Sequence, residues 1–92
     1  MDNNLNASQS ASQESRIKRW FLRNPGKEIT SLDALRMFGC MEFPKRISTL
    51  VEQGLPISRD KTIRLLNGKR VKAYYITQDD AKQYITKNNI RL

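Results

Sequence analysis

The sequence predicts an α+β fold: a three-helix core, a β-hairpin and an additional C-terminal helix, behind a disordered N-terminal arm. Three observations predict it. Apolar residues recur at helical spacing in three stretches between Gln13 and Gly54. From Leu55 the period changes to two, and Asn67-Gly68 marks a reversal within the alternating run. Thr77 and Asp80 then stand at capping-box spacing before a last helical stretch, whereas Met1 to Ser12 is mostly Asn, Ser, Gln and Ala, with little to bury. The expected organisation is an arm over residues 1–12, a folded domain over 13–76, and a C-terminal helix and tail over 77–92.

Helix 1 is expected to begin near Ser10 and Gln13, which have capping-box spacing. Ile17, Trp20 and Phe21 form its apolar face, and Leu22 falls on the other side, as a surface residue or a dimer contact. Asn24-Pro25-Gly26 ends it, because Pro cannot continue a helix and Gly permits the turn. Lys27-Glu28-Ile29 reads as a short extended piece. Thr30 caps helix 2 with Asp33 three residues on, and Leu32, Ala34, Leu35 and Phe38 are expected to face inward. Gly39 is a natural C′ residue. A short connection leads to Pro44, suited to the first turn of helix 3, where its missing N–H costs nothing. Ile47, Leu50 and Val51 make the buried stripe and Gly54 ends the helix. On the outer side stand Lys45, Thr49 and Glu52, flanked by Arg46, Ser48 and Gln53.

The hairpin phase selects its loop. A two-residue Asn-Gly turn sets Ile63 opposite Lys72 and mixes the faces. A three-residue loop, Leu66-Asn67-Gly68, sets Ile63 opposite Val71 and keeps Ile63, Leu65, Val71, Ala73 and Tyr75 on one apolar face. Gly68 is therefore expected in the left-handed region with a bulge, and Tyr74 is expected to face out. In the last helix Ala81, Tyr84 and Ile85 share a face. Asp79 and Asp80 at its start and Lys87 at its end suit the helix dipole.

Composition bounds the chemistry. A chain of 92 residues with 38% hydrophobic residues has room for one small core. The net charge of +8, from 17 Lys+Arg against 9 Asp+Glu, is concentrated in two places. Arg16, Lys18, Arg19, Arg23 and Lys27 lie on and after helix 1; Arg59, Lys61, Arg64, Lys69, Arg70 and Lys72 lie in the hairpin. A polyanion is the natural partner, nucleic acid ahead of a membrane surface. One cysteine and no histidine exclude a disulfide framework and a zinc finger, and Cys40 reads as a small packed residue at the inter-helix turn, suited to a reducing compartment. No apolar run approaches membrane-spanning length, and the N-terminus is not expected to be a signal peptide. Catalysis is not expected, nor any cofactor or metal. The adjacent carboxylates Asp79-Asp80 are explained by capping, and the four glycines are dispersed at element ends rather than gathered in a phosphate loop.

Helix, short strand, helix, turn, helix and hairpin follow one another in the chain order of a winged helix-turn-helix. The stretch from Ile29 to Cys40, with its Ser/Thr-led helix, Ala34-Leu35 pair and Phe38-Gly39 turn, is part of a wider likeness. With the Arg46-Ile47 start and the Gly54 end of the next helix, it resembles a family of small winged helix-turn-helix proteins of bacteriophages and prophages. The resemblance covers about Arg16 to Ile76. It implies that residues 44–53 enter the major groove of duplex DNA and that the 61–76 hairpin is a wing. The turn after Gly39 is longer than in the older helix-turn-helix repressors, so their base contacts do not transfer position by position.

Lys45, Arg46, Ser48 and Thr49 are the expected base-reading residues: Arg pairs bidentately with guanine, and Ser or Thr contacts various bases or phosphate. Arg64, Lys69, Arg70 and Lys72 are the expected backbone or minor-groove contacts, and Thr30 and Ser31, at a helix N-terminus, are open to two roles, placing N–H groups for a phosphate or simply capping the helix. The expected function is sequence-specific duplex binding by a phage or prophage transcriptional regulator. The expected location is the cytoplasm of a bacterial host, nucleoid-associated when bound. Two alternatives stand beside it: an architectural accessory factor in phage recombination or replication, and a protein-interaction adaptor on the same fold. The last helix is open to two uses, a homodimer contact or a cap on the core.

Overall fold

The computed structural model describes the backbone of residues 2–91 and side chains from Ser12 onward. The described elements run α1 (Asp2–Arg23), α2 (Ser31–Phe38), α3 (Phe43–Glu52), β1 (Ser58–Arg64), β2 (Arg70–Tyr75) and α4 (Gln78–Asn88). The helix start near Ser10 and Gln13 is not where α1 begins: the backbone is helical from Asp2. No Gly or Pro interrupts residues 2–12, and a capping box marks where a helix can start rather than where it must. Of the expected arm, residues 1–12, the side chains of 1–11 lie outside the described residues.

Ile17 and Phe21 are fully buried, and Asn24 closes α1 by donating its side-chain amide to the Trp20 carbonyl at 2.9 Å. The Gly26 N–H then donates to the Ile76 carbonyl at 2.7 Å, fastening the first loop to the end of the hairpin. Leu22 corrects the sequence reading: it is 3% exposed. The helical phase is right, but α4 packs against α1 and brings Ala81, Tyr84, Ile85 and Ile90 to the same core. The apolar side of α4 is thus occupied within the chain, and a homodimer through this helix would have to use its exposed residues.

α2 begins with the expected capping box. The Asp33 N–H donates to Thr30 Oγ1 at 3.2 Å and the Thr30 N–H donates to Asp33 Oδ2 at 3.0 Å. Gly39 ends it at φ 65°, with its N–H on the Ala34 and Leu35 carbonyls. Only part of the expected inner face is inside. Ala34 is fully buried and Phe38 packs on the core, but Leu32 and Leu35 are 49% and 44% exposed. Leu35 and Leu32 stand roughly 100° and 160° round the helix from Ala34, too far for an eight-residue helix that enters the core by one narrow side. Cys40 is buried as expected. Phe43, read as part of the connection, opens α3 and is among the largest fully buried side chains, a burial that stabilises by about 1.5–3 kcal/mol. Ile47 and Leu50 continue its stripe and Val51 packs at the margin.

β1 and β2 pair antiparallel with Ile63 opposite Val71, the register of the three-residue loop. The Gly68 N–H donates to the Leu65 carbonyl at 2.9 Å, the Leu65 N–H donates to the Lys69 carbonyl at 2.8 Å, and Gly68 has φ 87°. Ile29 adds a third, one-residue strand on the other side of β2, exchanging both backbone bonds with Tyr74 at 2.9 Å. That bridge overturns the expectation for Tyr74. It is 4% exposed, with its ring edge-on to Phe43 at 5.3 Å and 89°, because the core covers this side of the sheet at its base. Tyr75 is the more exposed of the two, its hydroxyl 3.4 Å from Asp60 Oδ1.

Gly39 is needed for its φ and not for space, since a Cβ there would meet nothing within 4 Å. Gly39→Ala is expected to lower stability by about 1–2 kcal/mol and Gly39→Asn by less, measured by urea denaturation. Equal stabilities for all three chains would mean that the left-handed turn does not set the α2–α3 angle.

Candidate nucleic-acid interface

The outer side of α3 carries Lys45 and Ser48, both exposed, with Thr49 partly so. The Thr49 hydroxyl donates to the Lys45 carbonyl at 3.1 Å, a bond to the preceding turn that uses its only proton. Thr49 therefore offers an acceptor lone pair and a methyl group, which fit an amino group or a thymine methyl, while Lys45 is a donor and Ser48 is either.

Arg46 is placed differently from the sequence reading. Its side chain is 16% exposed and its Nη1 lies 3.1 Å from Glu14 Oε2 on α1, with Nη2 4.0 Å from Glu42. At roughly 100° per residue Arg46 sits on the flank of α3, and α1 passes on that flank with a carboxylate in reach. The guanidinium ties α3 to α1 instead of projecting from it. No local pattern could have shown this, because Glu14 is 32 positions away.

The hairpin tip is held in shape before any ligand arrives. Asn67 Oδ1 accepts from the Lys69 N–H at 3.0 Å, supporting the loop that Gly68 closes. Around it Arg64, Lys69, Arg70 and Lys72 are all exposed. Arg64 pairs directly with Arg70 across the strands. Tyr74 turns its backbone groups toward Ile29, so by alternation Arg70 also turns away from β1, which makes Arg64–Arg70 a non-hydrogen-bonded pair, the kind with the closest side chains. Two guanidinium groups opposed in this way destabilise a hairpin. Lys61, in the same cluster by sequence, is neutralised: the Glu28 carboxylate accepts its hydrogen bond, and holds the ammonium above the usual lysine value of 10.5.

The α2 start, the first turn of α3 and the hairpin meet at one cleft of about 320 Å³, lined by Thr30, Ser31 and Leu32, by Pro44, and by Leu65, Val71, Lys72 and Tyr74; of the expected contacts only Thr30, Ser31 and Lys72 line it. Thr30 and Ser31 divide there. Thr30 is buried and its hydroxyl both donates to Asp33 Oδ2 and accepts from the Asp33 N–H, so it is a cap. Ser31 is exposed at the helix start, where backbone N–H groups favour an anion. The apolar walls of the cleft, Leu32 among them, went unread because they come together only in the fold. Among the described residues no three His, Cys, Asp or Glu side chains are grouped to hold a metal, and no helix is long and apolar enough to cross a membrane.

Compared with known families, residues 12–79 match a model described as a winged helix-turn-helix domain. No curated protein and no solved structure matches the chain.

Arg46→Ala is expected to lower stability by about 1–3 kcal/mol, as for loss of a hydrogen bond to a charged group. Glu14→Gln is expected to cost less, and in a double-mutant cycle followed by urea denaturation the two should couple by about 0.5–3 kcal/mol. Strictly additive losses would mean that Glu14 does not hold Arg46 in solution and that the guanidinium is available to bases.

Proposed function

The chain belongs to the winged helix-turn-helix domain family, a fold that suggests DNA binding, and from that premise we propose that it binds duplex DNA sequence-specifically as a transcriptional regulator of phage or prophage type. The observation that carries this reading is the convergence at one cleft of the α2 start, the first turn of α3 and the cationic hairpin. In it, α3 lies in the major groove with Lys45, Ser48 and Thr49 on base edges. Arg46 fixes the angle of α3 against α1. Ser31 presents the α2 N-terminus to one phosphate, and Arg64, Lys69, Arg70 and Lys72 lie along the backbone or in the adjacent minor groove. The opposed Arg64–Arg70 pair supports the same partner: a phosphate between the two guanidinium groups turns a repulsion in the free protein into two attractions. A second reading, an architectural factor, is favoured by Arg16, Arg19 and Arg23 of α1, which have no carboxylate partner among the described residues.

Fluorescence anisotropy of a random-sequence duplex across a salt series tests the reading. Log affinity is expected to fall linearly with log salt, with Kd on the order of 10⁻⁴–10⁻⁶ M at physiological salt. Lys69→Ala should weaken all sequences alike and reduce the slope by about one unit. Lys45→Ala should cost about 1–3 kcal/mol on a selected site and relax preference there. No binding at low salt would end the proposal.

The like-charge pair allows a test that a merely solvated basic face would not pass. Arg70→Thr is expected to stabilise the free protein by about 0.2–1 kcal/mol in thermal or urea unfolding while weakening duplex binding. A loss of stability, or unchanged affinity, would remove the pair from the interface.

A further inference from the structure

A second donor-rich groove lies on α1. Arg16, Arg19, Trp20, Arg23 and Asn24 line it together with Phe38 of α2, around a volume of about 280 Å³. Arg16 reaches across it, its guanidinium 5.6 Å from the Phe38 ring centre and 3.5 Å from the Met37 carbonyl. Arg19 and Arg23 are exposed. Among the described residues no carboxylate pairs with any of the three arginines, and the Trp20 indole N–H meets no acceptor. Asn24 has its amide N–H on the Trp20 carbonyl, which leaves its side-chain oxygen as the one acceptor among the groove's side chains. Arginines, indole and no acid make a lining that suits an anion with several oxygens.

The spacing says which kind of anion. Arg16, Arg19 and Arg23 recur at i, i+3 and i+7, one stripe of about 10 Å, the axial rise of roughly three successive phosphates on one DNA strand. A single small phosphate would leave most of the stripe empty; a nucleic-acid backbone matches its length. The stripe also faces away from the reading helix. Ile17, in the core, and Glu14, which holds Arg46, stand roughly 140–160° round α1 from Arg19. Carboxylates pair with Arg46 and Lys61 and leave the α1 stripe and the α3–hairpin side as two separate cationic patches.

We propose that the α1 groove is a second contact for the phosphate backbone of duplex DNA, so that one chain holds two duplex segments. The inference takes its ligand class from the duplex-binding reading above and adds a site to it.

The test uses the full chain with two duplexes, one biotinylated on beads and one fluorescent. Wild-type protein is expected to retain the fluorescent duplex on the beads. The double variant Arg19→Glu/Arg23→Glu, its fold checked by thermal melting, is expected to lose that retention by about tenfold or more, while its anisotropy affinity for a single duplex changes far less. Trp20, the only tryptophan, gives an independent readout: excess duplex should quench its emission in the wild type and in Lys69→Ala, but not in the double variant. Binding of one duplex without retention of a second overturns this inference alone. Retention that survives Arg19→Glu/Arg23→Glu also overturns it and assigns bridging to a dimer. Loss of single-duplex affinity equal to the loss of bridging places the stripe in the first site and overturns it as well. If the wild type binds no duplex at all, both readings fall.

Discussion

The position of the hairpin depends on Tyr74. Its backbone exchanges two hydrogen bonds with Ile29, its ring stands edge-on to Phe43, and two residues later the Ile76 carbonyl accepts from Gly26. Those contacts join the hairpin to the loop after α1, to Ile29 ahead of the α2 cap and to the first residue of α3. Everything proposed for the interface presupposes that joint, because a wing and a reading helix act on one duplex only if their relative placement is set in advance. The placement comes from apolar burial and backbone bonding at the hairpin base, away from the charged groups that would meet DNA. Charge at the tip can therefore be arranged for a ligand without being needed for the fold.

Local signals were legible in the sequence where they are local in the molecule. The Thr30–Asp33 capping box, the left-handed Gly39, and the loop length that puts Ile63 opposite Val71 depend on residues a few positions apart, and each stands where the pattern places it. What could not be read is what depends on a distant segment. Leu22 is buried because α4 returns to cover it, Tyr74 because Ile29 and Phe43 meet it, and Leu32 is exposed because α2 enters the core by Ala34 and Phe38 alone. The candidate site divides the same way. Lys45, Ser48 and the hairpin cations are exposed on the elements predicted for them, and Thr30 is occupied by the cap its spacing announced, but the helical wheel could not show that Arg46 has Glu14 beside it.

Acidic residues shape this molecule more than their number suggests. Glu14, Glu28 and Asp33 bind Arg46, Lys61 and the Thr30 cap, and each tie joins or terminates an element. Arg16, Arg19 and Arg23 of α1 and Arg64, Lys69, Arg70 and Lys72 of the hairpin are left without a carboxylate partner among the described residues, so the net charge of +8 becomes a pattern instead of a uniform coat. Exposed ion pairs add little to stability in general, which leaves pattern as the better account of why Glu28 sits against Lys61.

On the duplex-binding reading proposed above, the build of the hairpin tip bears on how a duplex would be sensed. Asn67 and Gly68 brace the turn with hydrogen bonds made inside the hairpin itself. Little conformational entropy is then lost when it docks, and the tip does not remodel itself to suit what it meets. A stiff probe of fixed width responds to the width of the groove it enters. Tracts of narrow and wide minor groove would differ in the energy needed to admit it, even where no side chain touches a base. A turn braced by its own hydrogen bonds would thus make DNA shape, beside base identity, a quantity that such a wing responds to.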